Sequence, residues 1–210
     1  MRPSLLLAAL LAGAPARAAD WLVESEAAAA AAPIPAEPAA PPPKADFLPH
    51  TPASRLFSAD IPTKGWWPME EEGPDGSVFY LFGPDSPSGS FRAVLSVRAY
   101  DKDSSLYADA KKHADLLRKS DDAVSRTATA VRPLRVGNGV LARTFEVVET
   151  RRLPFEQSPS FPEELHHYVA ILPNGDGYFV LRLASVRTDY LEHRDMFVRF
   201  LKTFRLLGSR

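Results

Sequence analysis

LHHYVAILPNGDGYFVLRLASVRTDYLEHRDMFVRFLKTF, residues 165–204, decides how this chain folds. Two β-rich runs, Leu165 to Leu172 and Tyr178 to Val186, flank Pro173-Asn174-Gly175-Asp176-Gly177. Such a turn between apolar runs is a hairpin signature, because Asn and Gly accept the positive φ of a tight reversal. From about Asp189 to Phe204 the apolar period lengthens. Tyr190, Phe197, Leu201 and Phe204 mark one helical stripe, and Met196, Val198 and Phe200 widen it. Asp189 suits the N-cap and Glu192 lies three residues on, an Asp version of the capping box. A helix this apolar must lie flat on a sheet, so the stretch predicts an antiparallel hairpin covered by a helix.

Upstream, the same signals repeat. Phe57 to Ile61 reads as a short strand stopped by Pro62, and Ser77 to Phe82 and Phe91 to Tyr100 are β-rich. In the last of these, apolar Ala93, Leu95 and Val97 alternate with Arg92, Ser96 and Arg98, the mark of a half-buried strand. Leu106 to Lys119 has helical spacing, with Leu106, Ala110, Ala114 and Leu117 on one side and Ser104 or Ser105 as cap. Arg132 to Val136 and Val140 to Arg151 flank Gly137-Asn138-Gly139, a second hairpin turn. The prediction is an α+β domain over residues 47–210: a mainly antiparallel sheet of about six or seven strands, covered by at least two helices.

Two motifs carry a resemblance. Phe57-Ser58-Ala59-Asp60-Ile61-Pro62-Thr63-Lys64-Gly65-Trp66 resembles the opening strand of the PsbP-like and DcrB-like α/β/α sandwiches. The strand Gly177 to Leu183 and a helix ending in Leu201-Lys202-Thr203-Phe204-Arg205-Leu206 are similar to their close, with Thr203 where those proteins have serine. The resemblance spans roughly Phe57 to Leu207. It implies an antiparallel sheet between helices, used mainly as a non-enzymatic binding or assembly module. Fold likeness of this kind transfers no partner. The metal-ligand positions of some members do not map onto this chain.

The N-terminus is of a different character. Arg2, the apolar run Leu5 to Ala14 and the small residues of Ala16-Arg17-Ala18 form the three parts of a secretory signal peptide, residues 1–18, with cleavage expected after Ala18. The apolar run falls short of the roughly 20 residues that span a bilayer. No integral span is therefore expected after cleavage. Residues 19–46 read as an Ala/Pro-rich disordered linker. From Ala27 to Pro43 only Ile34 and Glu37 are neither alanine nor proline. Such a segment favours an extended spacer at about 3.1 Å per residue. Ahead of it, Ala19 to Glu26 with Trp21-Leu22-Val23 is either a docking peptide or a passive stub. The expected location is periplasmic or secreted.

Composition removes several chemistries. The chain has no cysteine, which excludes disulfides, thiolate nucleophiles, cysteine-ligated zinc and the lipid attachment of bacterial lipoproteins. Without Arg2 and Arg17 the 25 basic residues fall below the 26 acidic ones by three, which is no footprint for nucleic acid.

The five histidines, His50, His113, His166, His167 and His193, have no metal-ligand spacing. His166 and His167 are adjacent on a strand and point to opposite faces, while His113 and His193 are expected on helices among charged residues. A nucleophile elbow is missing, and Ser86, Ser88 and Ser90 belong to a Gly/Pro turn. Glu70-Glu71-Glu72 reads as a solvated loop, since a general acid needs burial.

What remains points to binding, with no cofactor and no metal expected. Trp66-Trp67-Pro68 sets two large aromatics at the exit of a strand, Trp66 toward the core and Trp67 toward solvent. Arg151-Arg152 leads into a loop from Leu153 to Pro162 that carries Phe155 and Phe161, a candidate recognition lid. Trp66, Trp67, Arg151, Arg152, Phe155 and Phe161 are thus the candidate partner-binding residues. The function expected is an exported, soluble, non-catalytic binding or assembly module of the bacterial envelope, with another envelope protein as partner. The competing expectation is a small-ligand carrier or hydrolase with a pocket between sheet and helix.

Overall fold

The hairpin quoted first forms the centre of the domain. In the computed structural model, which describes residues 46–73, 76–120, 125–137, 139–155 and 159–207, it comprises strands β9 (Phe161–Asn174) and β10 (Gly177–Val186). Around it lie β3 (Trp67–Gly73), β4 (Gly76–Asp85), β5 (Arg92–Tyr100), β6 (Thr127–Ala128), β7 (Arg132–Val136) and β8 (Val140–Leu153). They make an eight-stranded sheet of order β3-β4-β5-β10-β9-β8-β6, with β7 also paired to β8. Every pairing is antiparallel, the arrangement that short turns between consecutive strands produce. A second, three-stranded sheet joins β1 (Phe47–His50), β2 (Phe57–Pro62) and β11 (Arg205–Leu206). The strand from Phe57 therefore lies outside the main sheet, paired instead with the chain's last strand.

Strand parity sends each residue to one of the two faces of the sheet. Phe179, Leu181 and Leu183 of β10, with Ala170 and Leu172 of β9, face helix α2 (Tyr190–Thr203) and its Phe197, Phe200 and Leu201. Val180, Val169, Ile171, Phe145 and Val147 face the other way, toward helix α1 (Ala110–Arg118) and its buried Ala114. Helices thus cover both faces, and the fold is the α+β sandwich expected. Phe57 closes the larger core, stacked on Phe204 at 4.9 Å and edge-on to Phe79 at 5.4 Å.

Three local readings are corrected. Helix α1 starts at Ala110 rather than Leu106, because the Asp109 carboxylate accepts from the backbone N–H groups of Lys111 and Lys112 at 2.9 and 3.3 Å. Ser104 instead holds a separate turn through Leu106. At α2, Asp189 occupies the N-cap in a helical conformation and its side chain caps nothing. Glu70-Glu71-Glu72 is no loop but part of β3, paired residue for residue with Ser77 to Phe79. Glutamate has weak strand propensity alone; the β4 partner imposes it.

The signal peptide, nearly all of the linker, Asn138 and residues 156–158 of the β8–β9 loop lie outside the described residues. Among the described residues no helix is long and apolar enough to cross a membrane.

Candidate functional site

Helix α1 is short, and it covers only part of its sheet face. It packs over Tyr178, Val180 and Ile171 and stops before the other end of the strands. Beyond it the register aligns a row across the sheet: Phe82 opposite Val94, Val94 opposite Ala184, Ala184 opposite His167, and His167 opposite Val147. The next row holds Tyr80, Ser96 and Arg182. Val94, Ala184 and His167 of the first row and Tyr80, Ser96 and Arg182 of the second line an open groove of about 560 Å³. One wall is Phe155, 51 % exposed, set edge-on to Phe91 at 6.1 Å.

A charged cluster closes the groove on the α1 side. Glu149 and His167 are both buried on the sheet. The Glu149 carboxylate accepts from Arg126 Nε at 2.7 Å, from Arg151 Nε at 3.0 Å and from His167 Nε2 at 3.3 Å. The bond from His167, ahead of those from Arg151 and Arg126, holds this carboxyl far below the usual carboxylate range against the cost of burial. Burial lowers the pKa of His167, and its bond to Glu149 offsets this only in part. Its Nδ1 accepts from Arg182 Nη2 at 3.0 Å. A neutral imidazole with the proton on Nε2 satisfies both contacts, the tautomer assigned from the network. Both ring nitrogens are thereby engaged, and His167 has none left to act as a base.

The six sequence-predicted residues divide. Arg151 and Phe155 line the groove. Trp67, 42 % exposed, belongs to the same face, opposite Phe82 at 6.4 Å between rings. The Arg92 guanidinium lies 4.7 Å over the Trp67 ring and is itself held by Asp85 in two bonds of 2.7 and 2.8 Å. Phe161 pairs with Leu153 where the β8–β9 ladder begins and is 61 % exposed. Arg152 is turned to Ser160, whose backbone carbonyl accepts from its Nη2 at 2.6 Å. Trp66 packs on the α2 side, flat against Gly83, where any Cβ would meet its ring at 2.7 Å. Arg151 and Arg152 belong to β8, which runs on to Leu153, and Phe161 and Pro162 open β9, so the expected loop is shorter at both ends.

The histidines are tied into structure. His113 on α1 bonds the Tyr178 hydroxyl at 2.8 Å, and that hydroxyl donates to the Ala108 carbonyl. Burial, with Tyr100 beside it, pushes the Tyr178 hydroxyl up to about 12. His193 on α2, with Glu192 and Arg194 on either side in sequence, turns its ring inward: it is buried, 2.8 Å from Ser185 Oγ and under the edge of Trp66. Ser185 and His193 have the separation of a nucleophile and its base, yet both are buried where α2 meets the sheet, at 1 % and 5 % exposure.

Arg182, His167, Glu149, Tyr80 and Val94 were not among the predicted residues. One signal pointed to them. Arg182 is the lone charge within Tyr178 to Val186, and parity sets it on the face of Val180 and Ala184 rather than with Leu181 and Leu183.

No protein-family model matches the chain, and no curated protein matches it in sequence. Solved structures do. The chain is similar to the Ran-binding protein Mog1p of Saccharomyces cerevisiae at 11 % identity, covering 79 % of this chain and 97 % of that one with a TM-score of 0.48. It is similar to the PsbP of Synechocystis sp. PCC 6803 at 15 %, covering 82 % and 99 %, TM-score 0.45. A third is PA94 of Pseudomonas aeruginosa, a protein of unknown function, at 12 %, covering 75 % and 94 %, TM-score 0.45. At these identities the likeness concerns the fold alone.

Proposed function

We propose that this chain is a non-catalytic binding module that works outside the cytoplasm and docks an envelope protein along the β3 rim of its open sheet face. The observation that carries the reading is Trp67. An exposed tryptophan is the residue type most enriched in interface hot spots. This one is pre-ordered: Arg92 lies over the ring and Asp85 holds Arg92. A side chain already fixed costs little further entropy on binding. Met69, two residues along the same face, is 40 % exposed and extends the apolar rim. Support for work outside the cytoplasm comes from the three-part signal at residues 1–18.

The test is a photo-crosslinking amino acid placed at position 67 in intact cells, with a second protein carrying it at Leu191, 73 % exposed on α2. A discrete adduct is expected from position 67 and none from 191. Against the partner so identified, Trp67→Ala is expected to weaken binding by about tenfold or more. Equal labelling from both positions, or unchanged affinity, overturns the docking reading. Export is tested separately by N-terminal sequencing of the mature protein, which is expected to begin at Ala19.

A further inference from the structure

Arg182 makes no ion pair among the described residues. Its Nε and Nη2 meet only the His167 ring, while Glu149 is committed to Arg126, Arg151 and His167. A half-buried guanidinium that shares the one carboxylate near it, Glu149, with Arg126 and Arg151 is costly to keep unless something else meets it. The groove-lining charges are Arg151 and Arg182 against Glu149, and Glu149 is shared with Arg126 as well, so the cluster carries excess positive charge. Around that excess the walls are apolar: Val94, Leu165, Ala184, Phe91 and Phe155. The volume, about 560 Å³, is within the usual range for small-molecule sites.

We propose that this groove binds a small amphipathic anion, a carboxylate with an alkyl or aryl body, its head on Arg182 and Arg151 and its body against Phe91, Phe155 and Val94. The planar guanidinium fork matches a carboxylate, and such charge-assisted bonds strengthen where water is excluded. The apolar body contributes by removing the sheet face and the Phe155 ring from water. This inference goes beyond the docking reading and does not depend on it, since Trp67 and Met69 belong to the rim and not to the groove lining.

Titration calorimetry on the full chain with octanoate, 1-octanol and octylammonium tests it. Octanoate is expected to bind at least about tenfold more tightly than octanol, and octylammonium not at all. Arg182→Gln is expected to lose about tenfold for octanoate and nothing for octanol, a change of head-group preference that a merely structural role would not produce. Arg135→Gln, exposed on β7, is the control expected to match the wild type. Should Arg182→Gln fail to fold, the comparison of head groups in the wild type and in Arg151→Gln decides. Equal affinity for octanoate and octanol, absence of saturable octanoate binding, or full octanoate affinity in Arg182→Gln overturns the proposal. Loss of octanoate binding with crosslinks from position 67 intact leaves the docking reading standing, and the reverse result separates them equally.

Discussion

Glu149 holds two arginines and a histidine on one buried carboxylate, and that sharing determines what its loss does. In Glu149→Gln, Arg126 and Arg151 lose their counter-charge and His167 its acceptor. A stability loss of about 3 kcal/mol is expected from urea unfolding, the scale for breaking a buried pair by removing one partner. Because its carboxyl is depressed in the fold, the contribution is present above pH 4.5 and fades as pH falls below it. His193 acts in a higher window. Burial depresses its pKa below 6.5, so the unfolded chain takes up the proton first. Stability is therefore full above pH 6.5 and declines below it. Unfolding curves across pH are expected to show a shallower acid decline in His193→Gln, which keeps a partner for Ser185; an unchanged slope refutes this assignment.

Among the elements, the β7–β8 turn does more than reverse the chain. Gly137 has φ +43°, its N–H donates to the Leu201 carbonyl at 3.0 Å, and a Cβ there would fall onto the Phe204 carbonyl oxygen. The turn thus satisfies one of the carbonyls left open at the end of α2. Gly137→Ala is expected to cost about 2 kcal/mol or more in thermal or urea unfolding, from the positive φ and the displaced helix end together. The two hairpins and α2 were legible in the sequence because turn residues and apolar period are local signals. The start of α1 was misread because Asp109 competes for the cap one turn later. β3 was misread because its strand character comes from β4, and the small sheet was hidden because Arg205 pairs with Ser58 across most of the domain.

At the scale of the whole molecule, the two cores lie back to back on shared strands. Tyr168, Ala170 and Leu172 serve α2, while Val169 and Ile171 between them serve α1. Neither core comes apart without disturbing β9, so tryptophan fluorescence and far-ultraviolet circular dichroism are expected to report one coincident unfolding transition. Two separated transitions refute this. The same back-to-back arrangement explains why the candidate site was only partly legible. Trp67, Arg151 and Phe155 stand out as large or charged residues near turns. Their assembly with Arg182, His167 and Val94 depends on strand order, and a sequence does not display which strands become neighbours. One further consequence attaches to β3, the outermost strand of the sheet. It carries Pro68, which offers no N–H, and then Glu70, Glu71 and Glu72 in succession. A second copy of the chain approaching this border would bring one acidic row against another. An edge so charged resists edge-to-edge pairing of the chain with itself along the border at which Trp67 lies part-exposed under Arg92.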